Sequence, residues 1–440
     1  MKKILSALLV FVAITTSSCS TDTSNENTEL SGTSYSTSGS ITDNETVFTP
    51  TTVAPTSDEV TSPPLIIVTK NIESDVVLVA GACEESSVIS VKGEYTEPFD
   101  ITSDGGSFVF AVTLEDRRSD TLSVTATVPG KDESDAARVD AKYIRGAKNR
   151  EIFITNDSRI CRNSDLGDLY HTNLFNENEL LLIKSLAKKR VQKAKEKSGK
   201  DVEIIYVIVP NSTAIYSEGL PDEMKENIVS DNSSIKQAKE ALSGIDGVTV
   251  IDMTDILSSH KDEKIYYNLD THWTELGAYY AYVEIMNVVA KKFPNASAHP
   301  LSDYDIKNVT LNYTDMMTYA DIENMGVFEN APFLMSKYTP LSPYDKAKKE
   351  EAYIWNFTNE FFDDKTSTTE IDDPSLPRGI FIFDSYGLNA IQLIAEHFSS
   401  LTCQPIWTYA LDYGIVEEKT PDYVIQLISE RTTEKLLLSE

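Results

Sequence analysis

Basic residues are scarce: 39 Lys and Arg stand against 69 Asp and Glu, giving a net charge of −30 at pH 7. Binding to phosphate backbones is dominated by Lys and Arg, so nucleic acid is not expected as a partner. There are four cysteines and no Cys-x-x-Cys pair, which argues against a disulfide-stapled scaffold and offers no zinc or redox motif. Five histidines, His171, His260, His272, His299 and His397, show neither His-x-x-x-His spacing nor a Cys/His cluster, so no metal is expected. A Gly-rich phosphate loop is also missing, and no cofactor is expected. No apolar run reaches the roughly eighteen residues of a membrane span. Paired carboxylates for glycoside hydrolysis are left open, because so many acidic residues supply accidental pairs. What the chain does have is 41% hydrophobic and 9% aromatic residues, enough for a real core over a length that suggests two or three domains.

The N-terminus reads as a secretory signal peptide: Lys2 and Lys3, an apolar run from Ile4 to Ile14, then small polar residues up to Cys19. The run is about half the length a spanning helix needs. Thr16-Ser17-Ser18-Cys19 resembles a lipobox, so residues 1–19 are expected to form a lipoprotein-type signal ending at an acylated Cys19. The product would be extracellular, held at the bacterial cell surface through that lipid alone. Cys83, Cys161 and Cys403 would then remain as buried thiols. Residues 20–64 carry Ser, Thr, Asn, Asp, Glu and Pro without Lys or Arg. That composition cannot bury enough surface to fold, and the segment is expected to be a disordered tether, stiffened by Pro50, Pro55, Pro63 and Pro64.

Residues 65–146 have a period of two. Leu122, Val124, Ala126 and Val128 alternate with hydroxyl residues as in a half-buried strand, and similar runs occur at 76–80, 88–91, 108–114 and 137–143. Turn signals such as Asp104-Gly105-Gly106 and Pro129-Gly130 separate some of them. Six or seven strands in this length predict a small all-β, immunoglobulin-like sandwich, expected to act as a spacer more than as a glycan-binding module.

From about residue 150 to 440 strands alternate with helices. Asn176 and Glu179 form a capping box ahead of a helix running to Gly199. Residues 203–209 are a near-continuous apolar run of the kind covered on both faces. A helix at 234–242, a strand at 248–251 and a helix at 274–293 follow. After an irregular stretch at 294–377, strands at 379–383, 403–409 and 423–428 flank a helix at 390–398. The pattern predicts an α/β fold with an open, doubly wound parallel sheet, whose ligands sit at the carboxyl ends of the strands.

Two segments at predicted strand-to-helix loops carry chemistry: Asp270-Thr-His-Trp273 and Phe383-Asp-Ser-Tyr-Gly387. Acyl transfer through serine needs a hydroxyl activated by an imidazole, and a carboxylate that fixes the imidazole tautomer. In Asp-x-His the Asp270 carboxylate can reach His272 Nδ1 and leave Nε2 free for a hydroxyl, and Ser385, delivered by a strand to the sheet edge, is the matching one. Backbone N–H groups at Ser385, Tyr386 and Gly387 are candidate oxyanion donors, with Asn211 as a further candidate. Trp273 would pack behind the histidine or wall the cleft. Each segment alone has an ordinary structural explanation, since Asp-Ser at a strand end is commonly a helix cap.

These residues resemble a known family. Asp270-Thr-His-Trp-Thr-Glu-Leu-Gly277 is similar to the Asp-x-His-Trp segment of the alginate O-acetyltransferase group and its Gram-positive relatives, the DHHW proteins. Val209-Pro-Asn-Ser-Thr-Ala-Ile-Tyr216 with Leu220-Pro221, Phe383-Asp-Ser-Tyr386, and Pro421-Asp-Tyr-Val-Ile425 with Glu430-Arg431 are similar to further family segments. The resemblance covers roughly residues 150–440. Departures are Phe383 in place of the usual Gly, Asn211-Ser212 where relatives often carry a basic residue, and Tyr313-Thr-Asp315 without the Gly of a common Gly-Asp-Leu segment.

The resemblance implies an SGNH-hydrolase-like fold, flavodoxin-like and permuted. It implies an O-acetyltransferase in which Ser385, His272 and Asp270 modify hydroxyls of a cell-surface polysaccharide. It also implies a separate membrane-bound O-acyltransferase as partner, which passes the acyl group across the membrane. A carbohydrate acetylesterase with the same three residues, or a non-catalytic glycan-binding lipoprotein, are the alternatives.

Overall fold

The computed structural model describes residues 53–55, 58–336, 366–406 and 411–438. The expected signal peptide, Cys19 and residues 20–52 of the expected tether lie outside the described residues. The last part of that tether, by contrast, has a place in the fold. Val60 bridges Asp132, and Thr61 and Ser62 are buried, Ser62 donating its N–H to Glu84 Oε1 at 2.6 Å.

The N-terminal region is rich in strands: β1 (Leu65–Asn71), β2 (Val76–Ala82), β3 (Val88–Lys92), β4 (Phe99–Thr102), β5 (Ser107–Thr113), β6 (Asp120–Thr127) and β7 (Ala137–Ala141). They form a three-stranded sheet β1-β2-β5 and a four-stranded sheet β4-β3-β6-β7. The two inner faces meet in one apolar core containing Val77, Val79, Phe108, Phe110, Ile89, Val91, Leu122 and Val124. Strand β2 is apolar on both faces. Its alternate residues Leu78 and Ala80, with Val68 and Val109, belong to a second cluster that includes Leu269, Met316, Met317 and Val327. A strand covered on both faces has no use for polar alternation, and here the second cover comes from the C-terminal half of the chain.

After a short hairpin, β8 (Ile152–Ile154) and β9 (Ile160–Arg162), come α1 (Glu177–Ser198), β10 (Glu203–Val209), α2 (Ser234–Leu242) and β11 (Val248–Asp252). Helix α1 begins where the sequence predicts: Asn176 accepts from the N–H groups of Asn178 and Glu179, and Glu179 accepts from that of Asn176. It ends at Gly199, whose φ of 72° is the left-handed conformation of a helix C-cap. Next are α3 (Glu275–Val289), β12 (Tyr304–Leu311), α4 (Asp315–Tyr319), β13 (Glu329–Ser336), β14 (Ser367–Glu370), β15 (Arg378–Phe383), α5 (Leu388–Ala395), β16 (Ser400–Pro405), α6 (Tyr413–Lys419) and β17 (Tyr423–Ser429).

The main sheet has six strands in the order β11-β10-β17-β15-β16-β14. All pairings are parallel except that of the edge strand β14, which runs antiparallel to β16. Alternate residues of β10 divide between two cores. Ile205, Val207 and Val209 pack with α3 and α5, and Ile204, Tyr206 and Ile208 pack with α1, α2 and α6. Helices therefore cover both faces.

The stretch 294–377, expected to be irregular, holds the β12–β13 hairpin, α4 and β14, while 337–365 lie outside the described residues. The predicted strand 403–409 is displaced toward the N-terminus, to Ser400–Pro405, and 407–409 lie outside the described residues. Cys83, Cys161 and Cys403 are free and buried. No helix among the described residues is long and apolar enough to cross a membrane.

Candidate functional site: a serine, histidine and aspartate at the carboxyl edge of the sheet

Strands β10, β17 and β15 are neighbours and run in the same direction, so the residues just past their ends share one edge. These are Asn211, Arg431 and Ser385. Ser385 stands in a tight turn capped by Asp384, whose Oδ1 accepts the Tyr386 N–H at 2.9 Å. Asp384 Oδ2 accepts the Ser429 N–H, the Ser429 hydroxyl and the Thr432 hydroxyl, each at 2.7 Å. This buried carboxylate ties the end of β15 to the end of β17. Gly387 completes the turn: a Cβ there would lie 2.3 Å from Phe383 Cβ, so only glycine lets the chain fold back so closely.

His272 comes from the loop that precedes α3. Its Nε2 lies 2.8 Å from Ser385 Oγ, and its Nδ1 lies 2.7 Å from Asp270 Oδ1. The same Asp270 oxygen accepts the His272 backbone N–H at 2.8 Å. The i, i+2 spacing thus folds into a local ring that orients the imidazole toward the hydroxyl.

A second carboxylate backs the first. Asp315, at the start of α4, accepts the Thr271 N–H at 2.9 Å and the Thr271 hydroxyl at 2.5 Å, and its own N–H donates to Asp270 Oδ2 at 3.3 Å. Arg431 donates from one guanidinium nitrogen to the Thr271 carbonyl at 2.9 Å and to Tyr386 Oη at 2.7 Å. Tyr386 in turn donates to the Thr271 carbonyl at 2.5 Å. Thr271, between the two residues that matter most, is therefore held from three elements.

The electrostatics follow from burial and pairing. Burial alone would raise the Asp270 carboxyl, but the His272 imidazole and the N–H groups donated to it hold it below the usual carboxylate range. Burial would lower His272, yet the charge and hydrogen bond of Asp270, with Asp315 behind, raise it. Asp315 is pushed up to about 7 by burial and by the Asp270 charge. A raised imidazole hydrogen-bonded to a hydroxyl can take that proton and hold it, and the carboxylate stabilises the resulting cation.

The residues expected at the oxyanion or substrate are engaged elsewhere. Trp273 is fully buried and donates from its indole N–H to the Tyr386 carbonyl at 2.8 Å, so it packs behind the histidine. The Tyr386 N–H is held by Asp384, and the Gly387 N–H donates to the Asp384 carbonyl at 3.0 Å. Among these three turn amides, that of Ser385 is the one not bonded within the turn. Asn211 is buried and donates from Nδ2 to Asp168 Oδ2 at 3.3 Å. It lines a recess with Thr271 and Arg431, in which its Oδ1 and Arg431 Nε make no hydrogen bond.

Sequence reasoning placed Asp315 in a family segment without its usual Gly and missed its supporting role, because the Thr271 groups it holds lie 44 residues away. The part played by Arg431 beyond its family segment was equally hidden. Two groups of side chains among the described residues gather metal-ligating atoms. In the first, Asp270, His272 and Asp315, those atoms face N–H groups and the serine hydroxyl. In the second, His299, Glu396 and His397, the His397 Nε2 lies 2.6 Å from Tyr282 Oη, and burial holds His397 down to about 3.

Among curated proteins none matches this sequence. Solved structures with a similar chain path include a DHHW family protein from Eubacterium siraeum, 16% identical, covering 72% of this chain and 96% of that one with a TM-score of 0.45. PatB1 of Bacillus cereus is 16% identical, covers 64% and 96%, and has a TM-score of 0.46. The O-acetyltransferase domain of Pseudomonas putida AlgJ is 12% identical, covers 66% and 94%, and has a TM-score of 0.39. A family model gives a sequence-level match that takes in Asp270-Thr-His-Trp273 and stops short of Ser385. Residues 183–351 match the family model described as ALGX, SGNH hydrolase-like domain, acetyltransferase AlgX.

Proposed function

We propose that this chain is an extracellular serine O-acetyltransferase that acts on hydroxyls of a cell-surface polysaccharide through an acyl-serine intermediate. In the first half-reaction His272 Nε2 takes the Ser385 proton as Oγ attacks the acyl carbonyl. Asp270 keeps the proton of Nδ1 in place and balances the imidazolium charge. The Ser385 N–H is the available oxyanion donor of the turn. The imidazolium then returns its proton to the leaving group. In the second half-reaction His272 deprotonates a sugar hydroxyl, which attacks the acyl-serine; the acyl–Oγ bond breaks and the imidazolium returns the proton to Ser385 Oγ, and water in place of the sugar gives hydrolysis instead.

The observation that supports this reading is the line of hydrogen bonds from Ser385 Oγ to His272 to Asp270. In the same proposal residues 150–440 form a permuted, flavodoxin-like catalytic unit and residues 65–146 an immunoglobulin-like one. Residues 1–19 are a signal ending at a lipidated Cys19, and 20–64 are a tether. A membrane-bound O-acyltransferase supplies the acyl group, a role that no helix among the described residues is long and apolar enough to fill by crossing the membrane.

The test is labelling of the purified protein by a serine-directed phosphonate, with an activated acetyl ester as substrate. Wild type is expected to be labelled at Ser385, and Ser385→Ala and His272→Ala to lose both labelling and turnover. A folded wild type that neither labels nor turns over the ester overturns the proposal. Added oligosaccharide should gain acetyl groups faster than free acetate appears; the reverse identifies an esterase.

A further inference from the structure

The loop carrying Asp270 and His272 is held from an unexpected direction. Glu329, at the start of β13, is fully buried. It accepts the N–H of Asn268 on Oε1 at 2.5 Å and that of Leu269 on Oε2 at 2.8 Å, immediately before Asp270. Its charge is met by Lys264, whose Nζ lies 3.0 Å from Oε1. Lys264 also pairs with Asp104, and Asp104 belongs to the N-terminal sandwich, in the turn between β4 and β5.

That turn is seated tightly. A Cβ on Gly105, at φ +59°, would fall 1.6 Å from Asn330 Nδ2, so the turn packs directly on the residue after Glu329. Beside it the Phe328 N–H donates to Ser107 Oγ at 3.4 Å. Leu269 itself is buried among sandwich residues Val68, Leu78, Ala80 and Val109.

We propose that Lys264 is a positioning residue of the active site and that the sandwich, through Asp104, completes its setting, so that the sandwich is a working part of the catalytic unit and not a spacer. A buried carboxylate stays charged only with a cation or several donors at hand. Lys264 supplies the cation between two carboxylates that would otherwise repel. With Glu329 charged, both N–H groups ahead of Asp270 are fixed, and the His272 ring is held at hydrogen-bonding distance from Ser385. The activity arm of the test rests on the function proposed above; the exchange arm does not.

The experiment uses the full chain. Hydrogen exchange of the Asn268 and Leu269 amides reports the loop, and the rate of phosphonate labelling at Ser385 reports the site. Lys264→Met keeps the stem and removes the charge; we expect exchange at both amides to rise about tenfold and labelling to slow about tenfold. Lys264→Arg is expected to recover most of both. Asp104→Asn alone is expected to raise the same exchange about threefold. The Asp104 side chain is 30% exposed, so the isosteric change is tolerated by the fold. In the Lys264→Met background Asp104→Asn is expected to act in the opposite sense and restore protection, because it removes a like charge facing Glu329.

Lys70→Met removes the Lys70–Asp321 pair, another contact between the halves, and is expected to leave both readings unchanged. Unchanged exchange at 268–269 in Asp104→Asn, or no reversal of sign in the double variant, overturns the proposal. So does an equal loosening by Lys70→Met. A wild type that resists the phosphonate counts against the serine mechanism alone, and the exchange arm then decides this proposal by itself.

Discussion

In the sandwich, Asp120 accepts the N–H groups of Glu94, Tyr95 and Thr121 and the hydroxyl of Thr96. Burial works to raise its carboxyl, and these donors outweigh it and hold it below the usual range. Glu84 is treated alike, its burial outweighed by Lys131 and the Ser62 N–H. Around the proposed catalytic edge the balance tips the other way. Burial carries Asp315 to about 7, Glu275 to about 8, Glu430 to about 7 and Asp168 to about 6. Glu275 has one donor to set against its burial, the Leu334 N–H at 2.7 Å. The first region uses carboxylates as saturated anchors. The second leaves these four poorly compensated, although Asp384 beside them is as fully bonded as Asp120, and such a cost in stability fits the proton transfers proposed above. Asp270 differs from these four: the His272 imidazole and the N–H groups donated to it hold it low, as the proposed mechanism requires of a carboxylate that stays charged beside an imidazolium.

The contrast can be broken in four places. Asp270→Asn should lower kcat by roughly 10³–10⁴-fold, through loss of the imidazole tautomer, with unchanged circular dichroism; a loss under tenfold would show that the carboxylate does not orient His272. Asp120→Ala strips an acceptor from three N–H groups and should destabilise the fold by about 2–3 kcal/mol, seen in denaturant titration, while phosphonate labelling of the folded protein stays at the wild-type rate. Asp315→Asn should slow turnover about tenfold and move the acid limb of the kcat/KM profile to lower pH, since Asp315 is one of the charges raising His272, against Arg431, which lowers it. An unmoved limb would mean that Asp315 only shapes the Thr271 loop.

The smallest effect concerns stability against pH. A carboxyl whose folded pKa lies above its unfolded value of roughly 4 contributes stability that is complete below that unfolded value and is lost as pH rises through the folded one. With Glu275 at about 8 and Asp315 and Glu430 at about 7, Tm should fall by a few degrees between pH 5 and 8. Glu275→Gln should flatten that slope. A Tm that rises over the same range would reverse the contrast.

Much of this was legible in the sequence where one local force dominates. Asn176 and Glu179 announce a helix start because capping is a matter of three residues, and β10 announces a buried strand because six residues in a row, 204–209, are β-formers. The Asp270-Thr-His272 ring is equally local. What escaped depends on distant partners. β12 has four exposed residues in a row followed by three half-buried ones, with no buried–exposed alternation, and it becomes a strand only because β13 pairs with it. β14, Ser-Thr-Thr-Glu, is polar and owes its place to the edge of β16. Asp315 and Glu329 lie 44 and 60 residues from the Thr271 and Leu269 backbone groups they hold, a separation across which no periodicity speaks.

Strand β2 has a practical meaning for anyone who would divide the molecule. Because Val77 and Val79 face one core while Leu78 and Ala80 face another, severing the chain near residue 146 would leave each fragment with a greasy scar where the other had been. The N-terminal fragment would then be expected to clump with its own kind, and the C-terminal one to arrive with Leu269, the neighbour of its key aspartate, bathed in water.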